Sequence, residues 1–367
     1  MSAQKFFISL SKIFQIYLII KLIIMAKPYV VGIDIGGTNT VFGIVDARGV
    51  VIASSSIKTQ KHSKIEDYID ELYTELSKLI ETNDATDKIH GIGIGAPNAN
   101  YFSGCIETNV NLPWPAPIPL AQLVSEKFGI PVAITNDANA AAIGEMTYGA
   151  ARGLRDFIMI TLGTGVGSGI VINGQLVYGH DGFAGELGHV VMKRHNGRLC
   201  GCGRTGCLEA YCSASGVART AREFLEVRTE PSLLRNIPID EITSKDVYDA
   251  AISGDKIAKD IFEYTGEILG EALADFTAFS APEAFILFGG LSKSGDLIMR
   301  PLRNSLEKNV MNPWKGKVKI LLSELKEADA AVLGASALGW EAKPMPAPAA
   351  AAPSATAITP TPAAPKA

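Results

Sequence analysis

The chain has no large excess of either charge: 34 Lys and Arg against 38 Asp and Glu leave a net −4 over 367 residues. A mildly acidic, evenly spread balance excludes a nucleic-acid binder held by a basic face. Cysteine is sparse too. There are five, and Cys200, Cys202 and Cys207 fall within one short stretch, which excludes the evenly stapled framework of a small secreted domain. An uninterrupted membrane-length apolar run is also lacking. Residues 5–24 are apolar, but Lys12, Gln15 and Lys21 break a stretch that needs ~20 mostly apolar residues to span a bilayer. Met25-Ala26-Lys27-Pro28 supplies no small-residue cleavage site for a secretory signal. Residues 4–24 use mostly amino acids with A/T-rich codons, so residues 1–26 read as an over-long start ahead of Met25. A membrane anchor is the alternative, and membrane contact is expected only in that case. At the other end, residues 341–367 read as a disordered tail; from Pro344 on there are seven Pro and ten Ala and one charge, which favours a solvated polyproline-like extension.

What is abundant is glycine, 36 residues, in a chain that is 47% hydrophobic. That excludes disorder and collagen for the middle of the chain and suits an α/β enzyme whose backbone approaches a ligand closely. The middle also repeats itself. Tyr29–Ile35 is an apolar strand ending at Gly36-Gly37-Thr38-Asn39-Thr40; strand Val41–Val45, a turn at Asp46-Ala47-Arg48-Gly49 and strand Val50–Ile57 follow. The plan returns as Phe157–Leu162, Gly163-Thr164-Gly165-Val166-Gly167, Ser168–Ile172, the hairpin pair Asn173-Gly174, and Gln175–Tyr178. Each Gly/Thr turn offers N–H groups and hydroxyls without bulky side chains, so a facing pair suits a polyphosphate; two ordinary Gly-rich hairpins are the alternative.

Helices are expected between the strands. Ser63 and Glu66 have capping-box spacing before an apolar stripe at Ile69, Leu72, Tyr73, Leu76 and Ile80. Lys88–Gly95, Pro131–Thr135 and Ala284–Phe288 read as buried parallel strands, Ile261–Phe279 as a long helix, and Ala328–Trp340 as a helix packed very closely. Alternating strands and helices mean α/β.

Asp34-Ile35-Gly36-Gly37-Thr38 followed by Thr161-Leu162-Gly163-Thr164-Gly165 resembles the phosphate motifs of the sugar kinase, actin and heat-shock chaperone superfamily. Within it, Asn136-Asp137-Ala138-Asn139-Ala140-Ala141, Glu186-Leu187-Gly188-His189 and the run Cys200 to Glu209 resemble the ROK family of bacterial sugar kinases and repressors, over about Pro28 to Trp340. The resemblance implies an α/β, two-lobed, actin-like ATPase or hexokinase-type fold with RNase H-like lobes around a central cleft. The lobes would be residues 27–135 with a returning helix at 328–340, and residues 136–327 with a zinc loop at 189–209.

Within the family the chain resembles the glucokinases. ATP with Mg²⁺ would then phosphorylate the 6-hydroxyl of glucose in a cytoplasmic, dimeric protein. Asp34, Gly36, Gly37, Thr38, Gly163, Thr164, Gly165, Gly289 and Gly290 would bind the nucleotide, with Asp34 close to the metal. Asn111, Asn136, Asp137, Glu186, His189 and Glu209 would bind the sugar, and Asp137 would be the catalytic base. Because an Ala-rich helix follows Asp137, an N-cap role is its alternative, and a surface Asx turn is the alternative for Asn111. His189, Cys200, Cys202 and Cys207 form the ligand set of a closed structural zinc site, with reduced structural thiols as the alternative. Cys105 and Cys212 read as buried small hydrophobes.

The loop after the buried strand reads Gly95-Ala96-Pro97-Asn98, where the family has a second glycine; this departure bears on the sugar fit. Rival functions are an N-acetylglucosamine, N-acetylmannosamine or mannose kinase, and a non-catalytic sugar-sensing regulator. Family repressors carry a winged-helix domain, and the residues before Pro28 hold no basic helix-turn-helix.

Overall fold

A computed structural model describes residues 27–108, 112–325 and 327–343; Asn111, residues 1–26 and the Pro/Ala run from Pro344 lie outside the described residues. Strands β1 (Tyr29–Ile35), β2 (Asn39–Asp46) and β3 (Val51–Lys58) form an antiparallel meander. Helix α1 (Ile65–Thr82), strand β4 (Ile89–Gly95), helix α2 (Leu120–Phe128) and strand β5 (Val132–Thr135) follow. β4 and β5 add in parallel beside β1, giving the order β3-β2-β1-β4-β5. The interior strand β1 is apolar on both faces because helices cover both, whereas the edge strand β3 alternates half-buried and exposed residues along most of its length.

Helix α3 (Asp137–Tyr148) leads to β6 (Phe157–Leu162), β7 (Val166–Ile172) and the two-residue β8 (Gln175–Leu176). Helices α4 (Glu209–Cys212), α5 (Ala214–Val227), α6 (Ser244–Ile252) and α7 (Lys256–Ser280) precede β9 (Ala284–Phe288), α8 (Asp296–Asn309), β10 (Lys319–Leu322) and α9 (Glu327–Gly339). The second sheet runs β10-β9-β6-β7-β8. Read from its far edge, that is the topology of the first sheet, so the repeated motif reflects a repeated fold.

Helix α9 lies against β1 and β4 of the first sheet, and glycine makes this possible. A Cβ at Gly93 would stand 1.9 Å from the Ala335 carbonyl oxygen, and one at Gly32 would stand 2.1 Å from that of Val332. α9 also crosses α3 at Gly144 and Gly334, where a Cβ on Gly144 would be 2.8 Å from the Gly334 Cα. The expected cost of Gly93→Ala is therefore about 1–3 kcal/mol, since helix and sheet must separate to admit one methyl. Thermal denaturation should show a loss of several degrees, and an unchanged melting temperature would contradict this packing.

Several local expectations need correction. α1 starts at Ile65 with Lys64 at its N-cap and no side-chain cap bond, so Ser63 lies too early to cap, and Glu66 instead favours the positive end of the helix from its first turn. Tyr73 is 38% exposed. The buried aromatic is Tyr68, whose ring lies 4.6 Å from that of Trp114 and whose hydroxyl is 2.8 Å from Thr40 Oγ1. β8 is shorter than Gln175–Tyr178 because Tyr178 leaves the sheet to stack on Tyr101 at 4.3 Å. The long helix begins earlier than expected, at Lys256, where Asp255 accepts a capping bond from the Ala258 N–H. Cys212 is buried, but Cys105 is only partly so, in a turn where its thiol donates to the Ser103 carbonyl.

Candidate active site

The site forms where parallel strands of both sheets end. Asp34 is the penultimate residue of β1 and pairs in register with Gly95 of β4, which itself pairs with Thr135 of β5. A Cβ on Gly95 would stand 3.5 Å from Asp34 Oδ1 and 3.9 Å from the Asp137 Cα. Asn136 caps α3, its Oδ1 accepting from the Asn139 N–H at 2.7 Å. Asp137 is thus the first helical residue and not the cap, and one of its oxygens accepts from the Ala138 N–H at 2.8 Å.

On the facing sheet, the turn after β6 brings the Gly163 N–H to the Gly165 carbonyl at 3.0 Å. The start of α5 holds this turn: the Ala214 N–H donates to the Gly163 carbonyl at 2.8 Å, and Ser215 Oγ donates to that of Thr164 at 3.1 Å. Gly289, at φ +104, ends β9 so close to β6 that a Cβ would be 2.5 Å from the Leu162 oxygen. No L side chain is comfortable there.

One cavity of about 530 Å³ brings together Asn136, Asp137, Gly163, Thr164, Gly165, Glu186, His189, Glu209 and Gly289. A second, of about 430 Å³, shares Gly163 and Thr164 and adds Gly290. A third, of about 230 Å³, holds Asp34 beside Asp137. Gly36, Gly37 and Thr38 form the β1–β2 hairpin after Ile35 but do not border these three cavities.

Charge is concentrated here. Burial, and then the nearby Asp137 carboxylate, push Asp34 up to about 6. Burial also raises Glu186; His189 opposes that rise, while Asp137 and Glu209 add to it. Carboxylates kept this close suit a site that receives a cation or hydroxyl donors.

Glu209 joins two parts of the site. Its Oε2 accepts from the Val166 N–H at 3.0 Å, and its Oε1 lies 3.3 Å from Cys200 Sγ. A Cβ on Gly165 would meet that Oε2 at 2.5 Å, so glycine is what lets the carboxylate reach the turn.

The donor atoms of His189, Cys200, Cys202 and Cys207 all lie within 4.8 Å of one another. Cys202 Sγ and Cys207 Sγ are 3.7 Å apart, and Cys200 Sγ is 3.6 Å from His189 Nδ1. With ~2.3 Å Zn–S and ~2.0 Å Zn–N bonds, a tetrahedron has S···S edges of ~3.8 Å and S···N edges of ~3.5 Å. The group fits zinc, and the sulfur separation is far too long for a disulfide. The other ring nitrogen of His189, Nε2, faces away from the thiols, 3.9 Å from Glu186 Oε2.

Thr161, the first residue of the second phosphate motif, also borders the 530 Å³ cavity. Several other lining residues go beyond the sequence reading: Ser168 borders the same cavity, and Lys245, Tyr248 and Lys293 border the 430 Å³ one. The capping box Thr243 to Asp246 at the start of α6 was a legible signal for the placement of Lys245. Asn98, the departure from the family string, also borders the larger cavity and sits at φ +52, a region that asparagine tolerates best after glycine.

The whole arrangement has close relatives. Residues 30–342 match the ROK family. A glucokinase of Halalkalibacterium halodurans is 34% identical over 87% of this chain and 96% of its own length. One from Thermotoga maritima is 33% identical over 86% of this chain and 98% of its own. The crystal structure of a ROK family glucokinase from Streptomyces griseus, in complex with glucose and AMPPNP, superposes with a TM-score of 0.70 at 33% identity, covering 85% of this chain and 99% of that one. This chain therefore belongs to the ROK family and has the two-sheet fold of its sugar kinases.

Proposed function

We propose that the protein is an ATP-dependent glucokinase that transfers the γ-phosphoryl group to the 6-hydroxyl of glucose. The observation that carries this reading is the single cavity in which Asp137, Glu186, His189 and Glu209 face the Gly163–Gly165 turn. Polar side chains that accept and donate suit a polyol, and N–H groups at the turn suit phosphate oxygens.

In this reading Asn136, Glu186, His189 and Glu209 hold the sugar; Asn111, the other amide expected to bind it, lies outside the described residues. Asp137 accepts the proton of the 6-hydroxyl as that oxygen attacks the γ-phosphorus and the bond to the β-phosphate oxygen breaks. The turns Gly36–Thr38 and Gly163–Gly165 flank the phosphates, and Gly289-Gly290 lie against the adenosine, Gly290 from the wall of the 430 Å³ cavity and Gly289 from that of the 530 Å³ one. Bound Mg²⁺ would offset the charge on the phosphates, with Asp34 positioned to hold it. Residues 27–135 with helix 328–340 form one lobe and residues 136–327 the other, and the cleft between them binds both substrates.

A panel of glucose, mannose, N-acetylglucosamine and N-acetylmannosamine, scored by coupled ADP release, tests the assignment. Glucose should give the highest kcat/KM, and faster turnover of an N-acetyl sugar would replace the reading with an amino-sugar kinase.

His189, Cys200, Cys202 and Cys207 would hold one structural zinc, since three thiolates and an imidazole leave no open position. Through Nδ1 the metal would set which tautomer His189 presents to the sugar. Metal analysis of the purified protein should find one zinc per chain. Metal-free protein in which Cys200, Cys202 and Cys207 titrate as free thiols in the native state would remove the site. Thiols kept reduced favour a cytoplasmic location; among the described residues no helix is long and apolar enough to cross a membrane. A homodimer completes the proposal.

A further inference from the structure

We infer that Arg198 is the positioning residue that holds the Cys200–Cys207 loop in its metal-binding shape, an inference that rests on the zinc reading above. The loop's own backbone bonds, from the Cys200 N–H to the Arg204 carbonyl at 2.8 Å and from the Gly203 N–H to the Cys200 carbonyl at 3.0 Å, close a tight turn. The Met192 and Lys193 N–H groups hold its far end at the Gly206 carbonyl, while its near end projects outward. Leu199 is 64% exposed, Cys202 is exposed, and Cβ atoms built on Gly201 or Gly203 would meet nothing within 4 Å. Arg198, directly before it, is 7% exposed and is the one buried Lys or Arg among the described residues.

Every side of this guanidinium is engaged. Nη1 donates to the Ala210 carbonyl at 2.9 Å and to that of Gly216 at 3.3 Å. Nε and Nη2 donate to Glu223 Oε2 at 3.1 and 2.5 Å. The plane lies over the Tyr211 ring, with Cζ 4.5 Å from its centroid. Its backbone takes part as well: the Arg198 N–H donates to the Tyr211 hydroxyl at 2.9 Å, and its carbonyl accepts from the Gly206 N–H at 2.8 Å, closing the loop one residue before Cys207.

Glu223 is shared. Its other oxygen accepts from Arg219 Nε at 3.0 Å, and Arg219 Nη1 donates to the Leu199 carbonyl at 3.1 Å. Arg198, Glu223 and Arg219 thus tie the residues before Cys200 to α5 and to the carbonyl of Ala210, the neighbour of Glu209. A rigid fork reaching two carbonyls and a carboxylate at once is a task for arginine; a lysine ammonium cannot span the same three acceptors. Groups behind the ligands commonly alter metal affinity 10–100-fold.

The test is the rate at which zinc passes from the folded protein to an excess of chromogenic chelator at 25 °C. Arg198→Lys should release zinc about tenfold faster than wild type, and Glu223→Gln, which keeps size and packing, should shift it in the same direction. Leu72→Ala, a cavity in the core of the other sheet, serves as the control: it should lower the melting temperature without accelerating release. If Arg198→Lys does not fold, Glu223→Gln decides alone. Zinc-containing wild type with release unchanged in Glu223→Gln and in any folded Arg198→Lys overturns the role of Arg198 and leaves the zinc site standing. Release accelerated equally in Leu72→Ala makes the effect one of global stability and also overturns it. Wild-type protein without zinc overturns both.

Discussion

Replacing Asp137 with Asn should lower turnover on glucose by about 10²–10⁴-fold, the usual contribution of a positioned general base. The substitution is close to isosteric, and the fold has reason to tolerate it. Asp137 is the first residue of α3, and its bond from the Ala138 N–H can be kept by an amide oxygen. Capping of the helix belongs to Asn136 and is not disturbed. What an amide cannot do is take the proton of an attacking hydroxyl. ATP affinity should hardly change, because the cavity that Gly290 borders does not include Asp137. Steady-state kinetics with a melting curve decides the matter; a well-folded variant with near wild-type turnover would remove Asp137 from the chemistry.

Asp34→Asn should have two opposite effects. Burial first, and then repulsion from Asp137, raise the Asp34 carboxyl from 3.8 to about 6. The folded protein therefore holds this proton more tightly than the unfolded chain, and ionising the group costs stability. That cost is absent below about pH 4, grows as pH rises toward 6, and is complete above it. A shift of this size corresponds to about 3 kcal/mol. The Asn variant, which never ionises, should melt several degrees higher than wild type at pH 8, with the difference disappearing below pH 4. Its turnover with Mg²⁺ and ATP should nevertheless fall by about 10²-fold, as expected when a charged group that serves the transition state is lost. A site that sacrifices stability for function behaves this way. An Asn variant that melts no higher than wild type at pH 8 would show that Asp34 is not a strained carboxylate.

Local chemistry determined what could be read from the sequence. Strands β1, β4, β6 and β9 are continuous apolar runs, and a parallel strand covered on both faces requires that pattern wherever it lies. The repeated strand–turn–strand plan implied a repeated fold for the same reason. Three cysteines with a nearby histidine were legible as one cluster from their spacing, since a short loop rich in glycine can bring their donor atoms together.

Distances across the fold stayed hidden. That Asn136 rather than Asp137 caps α3 depends on where β5 ends. The need for glycine at Gly32 and Gly93 arises only because α9, over 200 residues later, lies on them. Lys245 and Tyr248 reach a cavity shared with Gly163 and Thr164 from a helix about eighty residues away in sequence. Arg198 looks like a surface residue in a polar loop until α5 supplies Glu223 and the carbonyl of Gly216. The sequence by itself determined most of the elements and the Cys/His cluster, because these follow from residue type and spacing. Only the tertiary structure decided which of them share a cavity, which are anchors and which carboxyl is strained, because burial and electrostatic coupling depend on neighbours that the chain brings in from far along its length.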